Sequence, residues 1–249
     1  MKLNTIIKFL NKELKVSKIK DSSKNGLQVK GKNEVTKIAF GVDACMELFE
    51  KAKTNKCDLV IVHHGILWKP QKREELLKKR ISFLKKNKIS LYAAHLPLDL
   101  HAKYGNNAEL CRILGVKKIK KFGAYHGVSI GNSGEIKKQT TLSSLVKEIN
   151  TKLKTSSIVL NFGKQKIKTL GIVSGGGAYA IEEAAKKKLD CFLTGEIKHS
   201  NHHVTKELKI NVIAAGHYAT ETLGVKALAG LLKQKFKIST EFIDVPTRL

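Results

Sequence analysis

Three stretches of the chain end an apolar run on residues that bind metals. Asp58-Leu59-Val60-Ile61-Val62-His63-His64-Gly65 reads as a strand covered on both faces that closes on two adjacent imidazoles. Ala93-Ala94-His95-Leu96-Pro97-Leu98-Asp99-Leu100-His101 is a second apolar run ending in ligand types. In Ala214-Ala215-Gly216-His217-Tyr218-Ala219-Thr220-Glu221 a strand runs through Gly216 into a helix, where His217 and Glu221, four apart, share one face. Open α/β sheets hold their ligands at strand ends. Taken singly, each stretch has a bland reading: one core and one surface histidine, or an accidental i, i+4 pair. Taken together they point to a metal. Imidazoles mixed with carboxylates suit zinc, iron, manganese or nickel rather than calcium or magnesium. Five candidates, His63, His64, Asp99, His217 and Glu221, exceed the needs of one tetrahedral zinc and fit two divalent transition-metal ions. Both His63 and His64 reach one cavity only if the chain turns there, which Gly65 permits.

Other residues flank these. His95 and His101 either support the site around Asp99 or hold a loop, and Asp43, ending a strand, is a helix cap or an outer carboxylate. His126 is read as structural. Glu196, His199 and His203 share one face if their segment is helical; otherwise they form a solvated, histidine-rich helix start. Ser174-Gly175-Gly176-Gly177 is read as a tight strand-to-helix turn in preference to a weak anion site, since it lacks the spacing and the lysine of a P-loop.

These stretches need elements to position them. Residues 1–14 predict an amphipathic helix with Asn4 as a possible N-cap. Strands are expected at 27–29, 35–42, 59–62 and 89–94, alternating with helices at 45–55, 70–88 and 107–114. That alternation predicts a mainly parallel sheet with helices on both faces. The texture changes after the basic segment 117–121, a linker or edge. A strand at 123–130, a helix at 141–153, an alternating strand at 160–170, a helix at 179–189 and a strand end at 191–194 follow. A strand at 211–215, a helix at 220–234 and a strand at 238–243 complete the chain. The expected fold is α/β with two interleaved domains: residues 1–123 together with 206–249, and an inserted second domain at 124–205.

The chain has 249 residues with 47 Lys+Arg against 21 Asp+Glu, a formal net charge of +26. No apolar run approaches a membrane span, and the N-terminus lacks the apolar core of a signal peptide, so a cytoplasmic location is expected. The four scattered cysteines, Cys45, Cys57, Cys111 and Cys191, are expected to be reduced and inert. Acids do not keep pace with lysines, so the excess charge repels itself in the absence of an anionic partner. Only Arg73, Arg80, Arg112 and Arg248 are arginines. A lysine field favours backbone contact over reading of base edges. The expected partner is DNA, single- or double-stranded and without sequence preference, with RNA possible. Lys117, Lys118, Lys120, Lys121, Lys164, Lys166 and Lys168 are the candidate contacts. The alternative is a metal-dependent hydrolase acting on a nucleotide or related small molecule, with paired metals activating a water.

The sequence also resembles the Nif-three-like family, the GTP cyclohydrolase 1 type 2 homologues. The matching segments are Asn25-Gly26-Leu27-Gln28-Val29, Gly41-Val42-Asp43-Ala44, His63-His64-Gly65, His95-Leu96-Pro97-Leu98-Asp99, Gly105-Asn106-Asn107, Thr194-Gly195-Glu196 with His199, Gly216-His217-Tyr218-Ala219-Thr220-Glu221, and Phe242-Ile243-Asp244-Val245-Pro246. They run in family order over nearly the whole chain. The resemblance implies a two-domain α/β subunit, a dinuclear metal site in the cleft between the domains, and a toroidal homohexamer built as a trimer of dimers. The five candidate ligands match the family's metal positions. The match of the 194–199 segment implies a wall of that cleft, with Glu196 or His199 as acid/base or supporting partner.

Overall fold

The computed structural model describes residues 1–71 and 73–247. In chain order the elements are α1 (Leu3–Glu13), β1 (Gly26–Val29), β2 (Lys37–Asp43), α2 (Met46–Thr54), β3 (Leu59–His64), α3 (Glu74–Lys86), β4 (Ser90–Ala93) and α4 (Leu96–Asp99). There follow α5 (Asn106–Ile113), β5 (Val116–Tyr125), β6 (Val128–Thr141), α6 (Leu142–Leu153), β7 (Ile158–Asn161) and β8 (Lys166–Val173). The last are α7 (Ile181–Lys186), β9 (Cys191–Thr194), α8 (Asn201–Glu207), β10 (Asn211–Ala214), α9 (His217–Phe236) and β11 (Ser239–Phe242). They form two α/β units, Met1–His101 with Gly224–Val245, and Ala102–Leu223 with the residues from Pro246.

The first unit carries a five-stranded sheet, β1-β4-β3-β2-β11. Only β1 runs antiparallel to its neighbour. Leu59 to Val62 are fully buried, as a central strand of β-branched and apolar residues requires. Because β2, β3 and β4 are parallel neighbours, their C-terminal ends lie side by side: Asp43 pairs with His64, and Val62 with Ala93 just before His95. Asp58 braces this edge-to-edge register from the other end of β3. Its carboxylate accepts from Thr36 N (2.9 Å), Thr36 Oγ1 (2.7 Å) and Lys32 Nζ (2.8 Å). Helix α1 buries Leu3, Ile6, Ile7 and Leu10, the i, i+3, i+4, i+7 stripe. Its N-cap is Lys2 rather than Asn4, and no side chain caps it.

The second unit carries a six-stranded mixed sheet, β5-β6-β8-β9-β10-β7. Here too three parallel neighbours, β8, β9 and β10, sit at the centre, with Val173, Thr194 and Ala214 in register at their ends. Asp190 plays the part of Asp58, accepting from Lys168 N (3.0 Å), Thr169 N (2.9 Å) and Thr169 Oγ1 (2.9 Å). Strands β5 and β6 form a hairpin over the two-residue turn His126-Gly127, both with positive φ, the geometry that matches strand twist.

The units divide elsewhere than at 123/124 and 205/206. Lys117 to Lys121 belong to β5, which is paired along β6, so the basic segment is the edge strand of the second sheet rather than a linker. Strand β10 lies between β9 and β7 instead of rejoining the first sheet. The stretch at 160–170 is two strands, β7 and β8, and not one.

Candidate metal centre

Three imidazoles of the first unit are oriented in the same way. His63, fully buried at the end of β3, has Nδ1 2.9 Å from the carbonyl oxygen of Ala94. His64 has Nδ1 2.8 Å from Asp43 Oδ1, so Asp43 is the outer carboxylate and not a helix cap. His95 has Nδ1 3.0 and 3.1 Å from the two oxygens of Asp21. An Nδ1–H given to an oxygen acceptor fixes the tautomer and leaves Nε2 to meet a metal. The rings approach one another, with centroids at 4.6 Å (His63–His64), 5.2 Å (His63–His95) and 5.6 Å (His64–His95). Asp99, on the single turn α4, is buried with Oδ2 3.4 Å from His63 Nε2. Trp68 packs edge-on against His95 at 5.0 Å and donates Nε1–H to Gly65 O (2.8 Å).

Asp21 is buried, which by itself raises its carboxyl. The hydrogen bond and charge of His95, with donors on Asn25 and Ser23, outweigh that and hold it at about 2. Gly65 is not at positive φ, so its role is space rather than a turn. A Cβ there would lie 2.3 Å from Gln28 Nε2, and Gln28 Oε1 is needed to accept from Ile66 N (2.7 Å).

In the second unit the donors come from the start of α9. Gly216, at φ +91, lets the chain leave β10 and enter the helix at once, which places His217 and Glu221 on its first turns. His217 lies between two carboxylates, Nδ1 at 3.0 Å from Glu196 Oε2 and Nε2 at 3.2 Å from the buried Glu221 Oε2. Burial opposes protonation of this ring, but hydrogen bonding and charge from Glu221, then Glu196, raise it to about 9.

The glycine turn exists for these donors. A Cβ on Gly175 would fall 2.0 Å from Glu221 Oε1 and 2.9 Å from His217 Nε2. Two of its amides are spent within the chain, Gly175 N on Thr220 Oγ1 (3.0 Å) and Gly177 N on Thr194 Oγ1 (3.1 Å) and Gly175 O (2.9 Å), which favours the tight turn over an anion site.

In chemical terms, oriented imidazoles beside carboxylates, in a cradle that a single methyl would fill, are a donor set for a transition metal. Among the described residues, His63, His64 and His95 of the first unit each bring a ring nitrogen within 4.8 Å of the others, a group that could hold a metal ion.

Glu196 precedes α8, which begins at Asn201, so helical spacing does not align it with His199 and His203. Glu196 supports His217 directly, whereas His199 is exposed and His203 stands in α8 against His202 (ring centroids 5.2 Å). His101 lies 3.7 Å from Glu13, and His126 turns the β5–β6 hairpin. Among the lysines, Lys118 is paired with Glu135 (2.9 Å), Lys164 lies 3.7 Å from Asp190, and Lys168 donates to Ile136 O (2.9 Å). Lys117, Lys120, Lys121 and Lys166 are exposed. Sequence reasoning missed Asp21 and Trp68. Asp21 looks like any turn aspartate, and only its meeting with a histidine 74 positions away gives it a role.

A sequence model of the Duf34/NIF3 family (NGG1p interacting factor 3) matches residues 1–248. The chain belongs to this family. A relative from Pyrococcus horikoshii, named a GTP cyclohydrolase 1 type 2 homolog, is 47% identical over 251 residues, covering 100% of both chains. One of the same name from Deinococcus radiodurans is 36% identical, over 98% of this chain and 93% of that one. Among solved structures, TTHA1606 from Thermus thermophilus superposes with a TM-score of 0.92 at 36% identity over 100% of both chains. Reduced HcgD from Methanocaldococcus jannaschii does so at 0.86, with 25% identity over 98% of each. Among the described residues no helix is long and apolar enough to cross a membrane.

Proposed function

We propose that this Duf34/NIF3 chain is a dinuclear-metal protein that binds nucleic-acid backbone through its lysine-rich surface. His63, His64, Asp99, His217 and Glu221 hold two divalent ions per chain, of the zinc, iron, manganese or nickel kind. The observation that carries the metal half is the common orientation of the imidazoles, each with Nδ1 on an oxygen acceptor. Bound ions of this kind supply Lewis acidity and lower the pKa of a coordinated water. The nucleic-acid half rests on the charge of +26 and on the edge strand β5, whose Lys117, Lys120 and Lys121 project into solvent. Lysines on an edge strand also guard against edge-to-edge pairing, but that need does not account for a surplus spread over the chain. Assembly as a toroidal hexamer and a cytoplasmic location are part of the same reading.

Metal-dependent hydrolysis of a nucleotide-like molecule is the second reading. Glu196 favours it, being half exposed while it holds His217, so that a proton acceptor stands beside the donor set. A salt titration of labelled DNA decides between them. Binding is expected to be indifferent to sequence and strandedness, with a log–log slope of about −0.9 per phosphate neutralised on duplex. Changing Lys117, Lys120, Lys121 and Lys166 to Glu should weaken all sequences alike and flatten the slope. No binding by wild type at about 50 mM salt, where such contacts are strongest, leaves the hydrolase reading.

A further inference from the structure

We infer that the cavity between the segment after β3 and the first turns of α3 binds a small aromatic anion, a planar ring that carries a phosphate. Trp68 is its aromatic wall, and Arg73 and Arg80 are its anion-binding groups. This deepens the second reading above and rests on it for the ligand's later hydrolysis; binding itself needs no metal.

The cavity holds about 270 Å³ and is lined by Ile66 and Trp68 after β3 and by Arg73, Leu76, Leu77 and Arg80 at the start of α3. The last four are spaced i, i+3, i+4, i+7, one face of a helix. The charged residues between them, Glu74, Glu75, Lys78 and Lys79, are exposed. Pockets for drug-sized ligands run to about 300–1,000 Å³. A cavity just below that range takes a single nucleotide-sized ligand rather than an oligomer.

Two of the chain's four arginines meet here, in a sequence that otherwise relies on lysine. A planar guanidinium grips phosphate through paired N–H bonds, whereas an ammonium acts as a point charge. Arg112, by contrast, is spent on Glu109, with Nε 2.9 Å from Oε2. Among the described residues no carboxylate pairs with Arg73 or Arg80, and Arg80 Nε is buried without a hydrogen-bond partner. A buried donor in that state is costly, and an anion in the cavity would relieve it.

Trp68 is fixed before any ligand arrives. Its Nε1–H donates to Gly65 O (2.8 Å) and its backbone N–H to Gln71 Oε1 (3.1 Å). On either side, Lys24 N–H donates to Leu67 O (2.9 Å) and Lys69 N–H to Ser22 O (2.8 Å), tying the segment down. A ring held in place loses little freedom when another ring stacks on it. Its centroid lies 5.0 Å from that of His95 and 6.2 Å from that of His64, so one indole touches both the cavity and the imidazoles.

Trp68 is also the chain's one tryptophan, so its fluorescence reports on this cavity. The test titrates protein stripped of metal by a chelator with AMP, and with adenosine and inorganic phosphate as the ring and the anion alone. AMP should change the emission saturably, and adenosine and phosphate should each bind roughly tenfold or more weakly. Arg73→Gln/Arg80→Gln should weaken AMP by roughly tenfold or more, the size expected when a charged hydrogen bond is lost. Arg112→Gln, which removes an arginine elsewhere, should leave AMP binding unchanged. Circular dichroism checks folding, and Arg73→Gln alone, at an exposed position, carries the comparison should the double variant unfold. No saturable change with AMP, equal affinity without the arginines, or adenosine or phosphate binding as tightly as AMP overturns this inference and leaves the metal-holding reading untouched. AMP binding by protein that takes up no metal supports this inference while the metal-holding reading falls.

Discussion

In the first unit three imidazoles are each held through Nδ1 by an oxygen acceptor, whereas in the second a single imidazole, His217, is caught between Glu196 and Glu221. Both sets stand at the ends of three parallel strands, and both sheets are braced at the opposite end by an aspartate, the buried Asp58 or the partly buried Asp190. What differs is the source of order. Hydrogen bonds to chain oxygens fix the rings of the first set. The second depends on clearance, since Gly216 admits the helix and Gly175 leaves room for Glu221. Its carboxylates hold a proton on His217 up to about 9. One scaffold thus serves an imidazole-rich donor set and an acidic one.

The sharpest way to break this contrast is Gly175→Ala. The new methyl lands on Glu221 Oε1, and φ +60 adds roughly 1–2 kcal/mol of left-handed strain. Metal affinity of the second set should fall at least tenfold by titration, while the first set keeps its ion. Gly176→Ala is the control: the nearest atoms to its new methyl are 3.5 and 3.9 Å away, so it should leave affinity unchanged. Equal effects from the two would remove clearance as the ordering principle.

A smaller effect is expected where the units are alike. Asp58→Asn and Asp190→Asn should each cost roughly 1.5–3 kcal/mol, the range for hydrogen bonds to a charged group. Burial raises both carboxyls, but the donors around them, Lys32 and Thr36 or Lys168 and Thr169, outweigh it and leave both below 3.8. A depressed folded value contributes stability that is complete above the unfolded one and lost as pH falls through the folded one. Acid unfolding below about pH 4 should therefore be less steep in either variant. An unchanged acid limb in one would show that the braces are not equivalent.

The smallest effect concerns helix ends. Left-handed positions that usually take glycine hold lysine after α1 (Lys15), α2 (Lys56), α3 (Lys88) and α6 (Lys154), among others. Lys154→Gly should stabilise by about 0.5–1 kcal/mol, relief of αL strain set against glycine's chain entropy. Thermal unfolding measures it, and a fall in midpoint would contradict it.

Those lysines also explain what was hard to read in the sequence. Only Gly115 announced a helix end by type, so other boundaries slid by a few residues. The strands leading to His63, His64 and His217 were legible because apolar runs ended close to ligand types. Asp43, Asp21 and Glu196 gained their roles only through partners 21, 74 and 21 positions away, which no local pattern signals. The basic run at 117–121 was ambiguous for the same reason. An edge strand needs a partner, β6, to declare itself.

That these oriented side chains hold metal is open to elemental analysis of purified, reconstituted protein. The companion variant is His63→Ala/His64→Ala, whose fold should survive because β3 is anchored by the buried Leu59 to Val62. The expected result is close to two divalent ions per wild-type chain and loss of at least the first set's ion in the variant with unchanged circular dichroism. Wild-type protein that takes up no metal, or a variant that keeps both ions, contradicts a metal-holding role for these residues.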